Sequence, residues 1–284
     1  SYMVEVLKTG LFDTIQDLGR FNVQEFGVPF SGTMDLYSAE VANTVLGNSI
    51  SDAIMEISII GPKLQFHCST EIALAGADLS PMLNSNPIKM NTRIRISEND
   101  ILSFGQRNYG CRTYLAVKKG FQSELVMNSY SMCDSITSLS LLKKGELLPI
   151  KKMINSTDSA FASLRIDNTH FKLSEIEVFK GMEFNRLSVE EQDMLFSTEF
   201  TISKDSNRMA YQVNEVIENK IEPIITSLVL PGTVQLTPSG NLLFLMRDCQ
   251  TTGGYPRILQ LSERSINQLS QKIFGEKIRL KCMN

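Results

Sequence analysis

Histidine is almost absent: His67 and His170 are the only two in 284 residues, and they stand far apart in the chain. That scarcity leaves neither a paired zinc site nor a serine or cysteine triad its usual parts. His67, within "KLQFHCS", reads as a structural histidine of a strand, and no metal site is expected. The five cysteines, Cys68, Cys111, Cys133, Cys249 and Cys282, include no C-x-x-C pair. An odd, unclustered set reads as free thiols in a reducing compartment. No apolar run approaches the 18 residues of a membrane span, and no charged-then-apolar leader opens the chain. The expectation is a cytoplasmic protein. An excess of positive charge is also missing. Lysine and arginine number 28 against 31 acids, for a net charge of −3. Basic residues come at most in pairs such as Lys118-Lys119, which argues against a polyanion-binding stripe and leaves room only for a local patch. The chain has no G-x-x-x-x-G-K-[ST], no G-x-G-x-x-G and no G-x-S-x-G, so a phosphate cradle and a serine elbow are excluded too.

What is present is a series of short alternating apolar runs. "MEISIIGPKLQF", "EIALAGAD" and "RTYLAVKKG" read as strands stopped by glycine and proline. "TRIRISENDILSF" reads as a hairpin turning at Glu98-Asn99-Asp100, and "GTVQLTPSGNLLFLMRD" as another turning at Pro238-Ser239-Gly240-Asn241. Helices are few. "SGTMDLYSAEVANTVLGN" sets Met34, Tyr37, Val41 and Val45 on one stripe, with Gly47 at the C-terminal cap. "SVEEQDML" opens on a Ser188–Glu191 capping box. "SERSINQLSQKIFGE" aligns Ile266, Leu269 and Ile273 before Gly275. Many strands with few helices predict a mainly β protein of barrels or sandwiches. A polar, poorly periodic stretch near 150–165 predicts the connection between two domains, 1–150 and 151–284, whose strands are free to interleave.

Three polar, glycine-bearing stretches carry candidate chemistry. "TIQDLGR" places Gln16, Asp17 and Arg20 together. Asp17 either orients Arg20 toward an anion or closes an Asx-type turn at Gly19. "GVPFSGTMD" enters the first helix, where Ser31, Thr33 or Asp35 caps the helix or leaves its N–H groups to an anion. "QTTGGYP" (250–256) comes after a strong strand ending at Arg247-Asp248. Its hydroxyls, paired glycines and stiff Tyr255-Pro256 exit suit a turn or a loop that lets backbone approach a ligand.

Taken in order, "TIQDLGR", "GVPFSGTMD…AN…LGN…ME…GP", "IALAGAD", "YLAV", "GTVQLTPSGN" and "DCQTTGGYPRI" resemble the KipA-like family over roughly Val4 to Leu280. Its members are described as the KipI antagonist, the C subunit of bacterial ATP-dependent 5-oxoprolinase and allophanate hydrolase subunit 2. The same module occurs in the carboxyltransferase region of biotin-dependent urea carboxylases. The resemblance implies two cyclophilin-like β-barrels. It also implies two partners, a KipI-like B subunit and a LamB/YcsF-like A subunit, which together with this chain would open 5-oxoproline to glutamate. ATP would be used by that complex, with no cofactor assigned to this chain. Carried over by motif, Asp248, Thr251 and Thr252 are the candidate catalytic residues. Gln16, Asp17, Arg20, Asp35, Gln235, Gly253, Gly254 and Tyr255 are the candidates for binding a small amide or lactam. Two other readings of the resemblance stay open: a non-enzymatic KipI antagonist acting on a sensor histidine kinase, and a carboxyltransferase or allophanate-type component. No nucleic acid or membrane partner is expected.

The chain also departs from the family pattern. In place of G-S-R-S-T and the following glycine- and arginine-bearing block stands "MNSYSMCDSITSLSLLKKGELL". Ser129 and Ser131 survive, Tyr130 replaces the arginine, and Gly145-Glu146 replaces G-D. The usual S-D-R-M-G-Y-R-L reads "SNRMAYQV". It keeps Arg208 and Tyr211 but carries Asn207, Ala210 and Gln212. Losing cationic and glycine positions weakens the expected grip on an anion, each charge-assisted hydrogen bond being worth about 1.5–3 kcal/mol.

Overall fold

The structure, a computed structural model, describes residues 1–154, 166 and 168–283. It is mainly β, with curled sheets and four helices. The chain divides into two compact units. Unit 1 comprises Ser1–Arg20 and Ser31–Asn168, and unit 2 comprises Phe21–Phe30 and Thr169–Asn284. Most of the connection expected near 150–165 falls at 155–165, outside the described residues.

Unit 1 contains, in chain order, β1 (Met3–Lys8), β2 (Phe12–Gln16), α1 (Leu36–Val45), β3 (Ile54–Ser58), β4 (Lys63–Phe66), β5 (Thr70–Asp78), β6 (Pro81–Leu83), β7 (Asn86–Pro87), β8 (Ile94–Ile96), β9 (Ile101–Phe104), β10 (Tyr109–Val117) and β11 (Leu147–Pro149). They form a six-stranded sheet, β11-β1-β4-β9-β6-β7, and a five-stranded sheet, β2-β3-β10-β5-β8. Alternation decides which residue goes where. On β5, Ile72 and Leu74 point into the main core with Val6, Phe66 and Leu115. The intervening Ala73 and Ala75 pack instead beneath Ala42 and Val45 of α1. Side chains two apart share a face of a strand, and the alanines let the helix approach closely. Both faces being buried explains why this run reads as almost continuously apolar.

The helix α1 begins where Asp35 caps it: one carboxylate oxygen accepts from the Ser38 N–H at 3.1 Å and the other from the Ser38 hydroxyl at 2.6 Å. Tyr37 leaves the expected stripe and is exposed, whereas Met34, Val41 and Val45 are buried. Gly47, at φ 66°, ends the helix. The stretch 92–104 does not form a hairpin. A turn is present, with the Ser97 N–H donating to Asp100 at 2.7 Å. However, β8 pairs with β5, and β9 pairs with β4 and β6. The turn therefore carries the chain from one sheet to the other.

Unit 2 contains α2 (Thr169–Lys172), β12 (Glu175–Lys180), α3 (Val189–Ser197), β13 (Phe200–Thr201), β14 (Ala210–Gln212), β15 (Ser227–Leu228), β16 (Thr233–Leu236), β17 (Leu242–Leu245), β18 (Thr252–Gly253), β19 (Arg257–Leu261), α4 (Glu263–Leu269) and β20 (Lys277–Cys282). The seven-stranded sheet runs β13-β20-β12-β19-β16-β17-β14, and β15 pairs with β18 in a separate ribbon. The second expected hairpin is present: β16 and β17 pair antiparallel, Val234 opposite Phe244 and Leu236 opposite Leu242. Helix α3 carries the Ser188–Glu191 capping box. Helix α4 stops at Leu269, before the expected Ile273. There the chain turns so that buried Lys272 donates to the Phe171 carbonyl at 3.2 Å. No helix among the described residues is long and apolar enough to cross a membrane.

Candidate functional site

The hairpin β16–β17 ends at the Arg247-Asp248 step, and the loop beyond it is held from several sides. The Arg208 guanidinium grips Asp248 through two bonds, Nε at 2.8 Å and Nη2 at 3.0 Å. In return the Asp248 N–H donates to the Arg208 carbonyl at 3.0 Å. Past this clamp, β18 pairs with β15, setting Gly253 opposite Ser227 and Thr252 opposite Leu228. Flanking bonds from Val229 N–H to the Thr251 carbonyl and from Ile224 N–H to the Gly254 carbonyl extend the ribbon. At the exit, Arg257 forms a second two-pronged pair with Glu183, at 3.0 and 2.8 Å. Those bonds from Arg257 pull the Glu183 carboxyl below its ordinary range.

Between this ribbon and the sheet lies a cavity of about 250 Å³. Its walls are apolar, from Met209, Val229, Leu243 and Leu245, and its polar groups come from Gln235, Gln250 and Thr252. Among the described residues, no charged side chain lines it. Gln235 carries the most information. It is about 5% exposed, and its side-chain amide forms no hydrogen bond with any described residue. Its amide oxygen and nitrogen are not sealed from solvent but open on the cavity, where a bound molecule or water can pair with them. Gly253 makes room for it: a β-carbon there would stand 2.5 Å from the Gln235 amide nitrogen. The second glycine of the pair, Gly254, faces looser surroundings. Glycine at 253 thus lets the Gln235 amide lie close against the backbone, and a larger residue would push that flexible side-chain end aside.

Cys249 also lines the cavity. Burial, reinforced by the neighbouring Asp248 carboxylate, pushes its thiol up to about 12. It stays protonated near neutrality and is no nucleophile. The cavity is therefore suited to hydrogen-bonding a small neutral polar group rather than to covalent attack.

Of the residues singled out in the sequence, Gln235, Thr252, Gly253, Gly254 and Tyr255 line this cavity, while Asp248 and Thr251 stand beside it in the chain without lining it. Thr251 is buried. Gln16, Asp17, Arg20 and Asp35 belong to unit 1. The first three meet in one buried network. Asp17 accepts from the Gly19 N–H at 2.8 Å, from the Ser129 and Ser131 hydroxyls at 2.6 and 2.8 Å, and from the Tyr130 N–H at 2.7 Å. Arg20, about 1% exposed, donates to the carbonyls of Val126 and Ser131 at 3.1 and 2.7 Å. Gln16 donates to the Met132 carbonyl and accepts from the Gly32 N–H. These groups tie the 126–132 loop to β2, and Asp35 is occupied in capping α1. Among the described residues, no group of three His, Cys, Asp or Glu is placed to hold a metal ion.

Sequence reasoning misses the apolar walls and Cys249, because Met209, Val229 and Leu245 are gathered by strand pairing from separate stretches. Arg208 stands out in the sequence only as a surviving family position. Its partner Asp248, forty residues on, has no local signal.

Comparison with known proteins agrees with this architecture. Residues 26–282 match the family described as "Carboxyltransferase domain, subdomain A and B". The chain is 29% identical to the 5-oxoprolinase C subunit of Escherichia coli (strain K12) over 282 residues, covering 97% of this chain and 90% of that one. It is 38% identical to the urea amidolyase of Lachancea kluyveri over 128 residues, 45% of this chain and only 7% of that protein. Among solved structures, TTHA0988 matches with a TM-score of 0.85 at 24% identity, over 98% of this chain and 55% of its own. Kluyveromyces lactis urea carboxylase matches with a TM-score of 0.87 at 25% identity, over the whole of this chain and 27% of its own. The chain thus spans about half of the first of these structures and about a quarter of the second. By a match that takes in most of its length, the chain belongs to the carboxyltransferase domain family, subdomains A and B.

Proposed function

We propose that the chain is the C-type component of an ATP-dependent 5-oxoprolinase, and that the cavity behind "QTTGGYP" receives the lactam group of 5-oxoproline. The observation that carries the reading is the amide of Gln235, which forms no hydrogen bond with a described residue and opens on a neutral, apolar-walled cavity. A primary amide offers both a donor and an acceptor, the complement of a lactam N–H and C=O. Thr252 supplies a further hydroxyl, and ground-state polarisation of the lactam carbonyl would follow from such donors. The similarity to the 5-oxoprolinase C subunit over nearly the full length supports the same reading.

The substrate's carboxylate finds no counter-charge among the residues lining the cavity. Arg208 and Arg257, which clamp the two ends of the loop, are each committed to a carboxylate, Asp248 and Glu183. This agrees with a complex in which a KipI-like B subunit, together with a LamB/YcsF-like A subunit, provides the cationic and ATP-handling groups, and in which the chain alone is inactive. A carboxyltransferase role would place carboxybiotin and a urea-type amide in the same cavity.

A second reading, KipI-type antagonism without catalysis, is favoured by the exposed apolar residues Ile225, Leu228 and Leu230 beside the loop, which suit a partner surface. One experiment separates the two: 5-oxoproline-dependent ATP hydrolysis by the chain reconstituted with the A and B subunits, compared with Gly253→Ala. The added methyl displaces the Gln235 amide, so KM should rise about tenfold, the worth of one lost hydrogen bond, while the complex still assembles. Activity independent of this chain would sink the enzymatic reading. An unchanged KM would remove the cavity from it.

A further inference from the structure

Unit 1 holds a second cavity, of about 440 Å³, walled by the 122–124 and 130–139 segments and β11. Its size is in the range of small-molecule sites, roughly 300–1,000 Å³. Leu139, Leu148 and Pro149 give it apolar walls, and Tyr130 presents an aromatic ring. Its acidic side chains are Glu124 and Glu146, and among the described residues no lysine, arginine or histidine lines it.

Neither carboxylate is neutralised by a described residue. Glu124 accepts from the Ser138 N–H at 2.8 Å and the Ser138 hydroxyl at 3.0 Å, both uncharged donors. Glu146, half-buried, has no side-chain hydrogen bond or ion pair with any described residue. Ser123 lines the same wall, and its hydroxyl oxygen is buried without a hydrogen-bond partner. Glu124 is exposed at the cavity's edge and Glu146 half-buried. Two carboxylates without a counter-ion beside apolar walls give the cavity a negative potential, to which the Tyr130 ring adds a group that attracts cations.

We propose that this cavity binds a small organic cation, an ammonium or guanidinium group carried on a short aliphatic stem. The charged head meets Glu146 and Glu124, and the stem lies along Leu139, Leu148 and Pro149. The same chemistry is offered by a free alkylamine and by a lysine or arginine side chain of a partner polypeptide. It excludes anions, so this cavity does not compete for a carboxylate-bearing lactam.

The test is calorimetric titration of the full chain with n-butylammonium and n-butylguanidinium. Controls of matched shape are neutral n-butanol and anionic butyrate. The cations should saturate, bind about tenfold more tightly than butanol, and weaken as salt is raised. Glu146→Gln should remove most of that preference, and Glu146→Lys, which carries its own cation into the cavity, should abolish binding. Because the bonds of Glu146 to Val6 and Lys143 are made by its backbone and its side chain makes none, neither change should lower the unfolding temperature. Capped arginine amide binding about tenfold more tightly than butylguanidinium would assign the site to a polypeptide side chain. Equal or weaker binding would assign it to a free amine. The proposal is overturned if butanol binds as well as the cations, if no cation saturates, or if Glu146→Gln leaves the cation affinity unchanged.

Discussion

Asp13 shows how one side chain makes stability depend on pH. It is about 3% exposed on β2; one carboxylate oxygen accepts from the Gly10 N–H at 2.6 Å, and the other is buried without a partner. Burial raises its carboxyl to about 6, partly offset by the Gly10 bond. A carboxyl whose pKa is higher in the fold than in the unfolded chain favours folding when protonated. That contribution is complete below the unfolded value, near 4, and disappears as pH rises through about 6. Asp13→Asn keeps an acceptor for Gly10 and removes the charge. It should stabilise the protein at pH 8 by up to about 3 kcal/mol and flatten the pH dependence between about 4 and 6. Thermal unfolding at pH 4, 6 and 8 checks this, and a variant with the wild-type slope would show that another group sets it. At the same scale, Gln16, Asp17 and Arg20 were legible in the sequence as a cluster. What their spacing did not reveal is that Ser129 and Ser131, more than a hundred residues on, consume the Asp17 acceptors.

Among elements, those signalled by neighbouring residues were legible and those decided by distant partners were not. The Ser188–Glu191 box predicted the start of α3, and both reciprocal bonds are present, 3.1 Å from the Glu191 N–H to the Ser188 hydroxyl and 2.8 Å from the Ser188 N–H to Glu191. Ser188→Ala should cost about 1 kcal/mol, read as a lower denaturant midpoint at constant slope; no change would mean that α3 is held by its packing of Leu195 alone. The Pro238–Asn241 turn closes a hairpin because its two arms, β16 and β17, pair with each other. The chemically similar turn at 98–100 does not, since β4 and β5 claim its two arms for different sheets. The ribbon at 250–256 lay between these cases. Its glycines announced a close approach, but the Gln235 amide being approached comes from β16.

For the molecule as a whole, the fold was legible as mainly β, but the path of the chain was not. Residues Phe21–Phe30 belong with unit 2 although the sequence on both sides of them belongs to unit 1. Within the segment, Phe21 and Phe30 meet edge-to-face, ring centres 6.4 Å apart. A chain ending at Asn168 keeps every strand of unit 1 but strands this segment without its unit. Limited chymotrypsin digestion should then cut at Phe21, Phe26 or Phe30 at least tenfold faster than in the full-length protein, as exposed, unanchored chain is cut preferentially. Equal cleavage rates would mean that the segment orders itself without unit 2.

The same excursion sets a timetable for synthesis. Ribosomes add about 5–20 residues each second, and unit 2 resumes only at Thr169. For on the order of ten seconds, a nascent chain therefore displays a phenylalanine-bearing loop whose destination has not yet been translated. That interval is an opening for chaperones and for misassembly between neighbouring nascent chains.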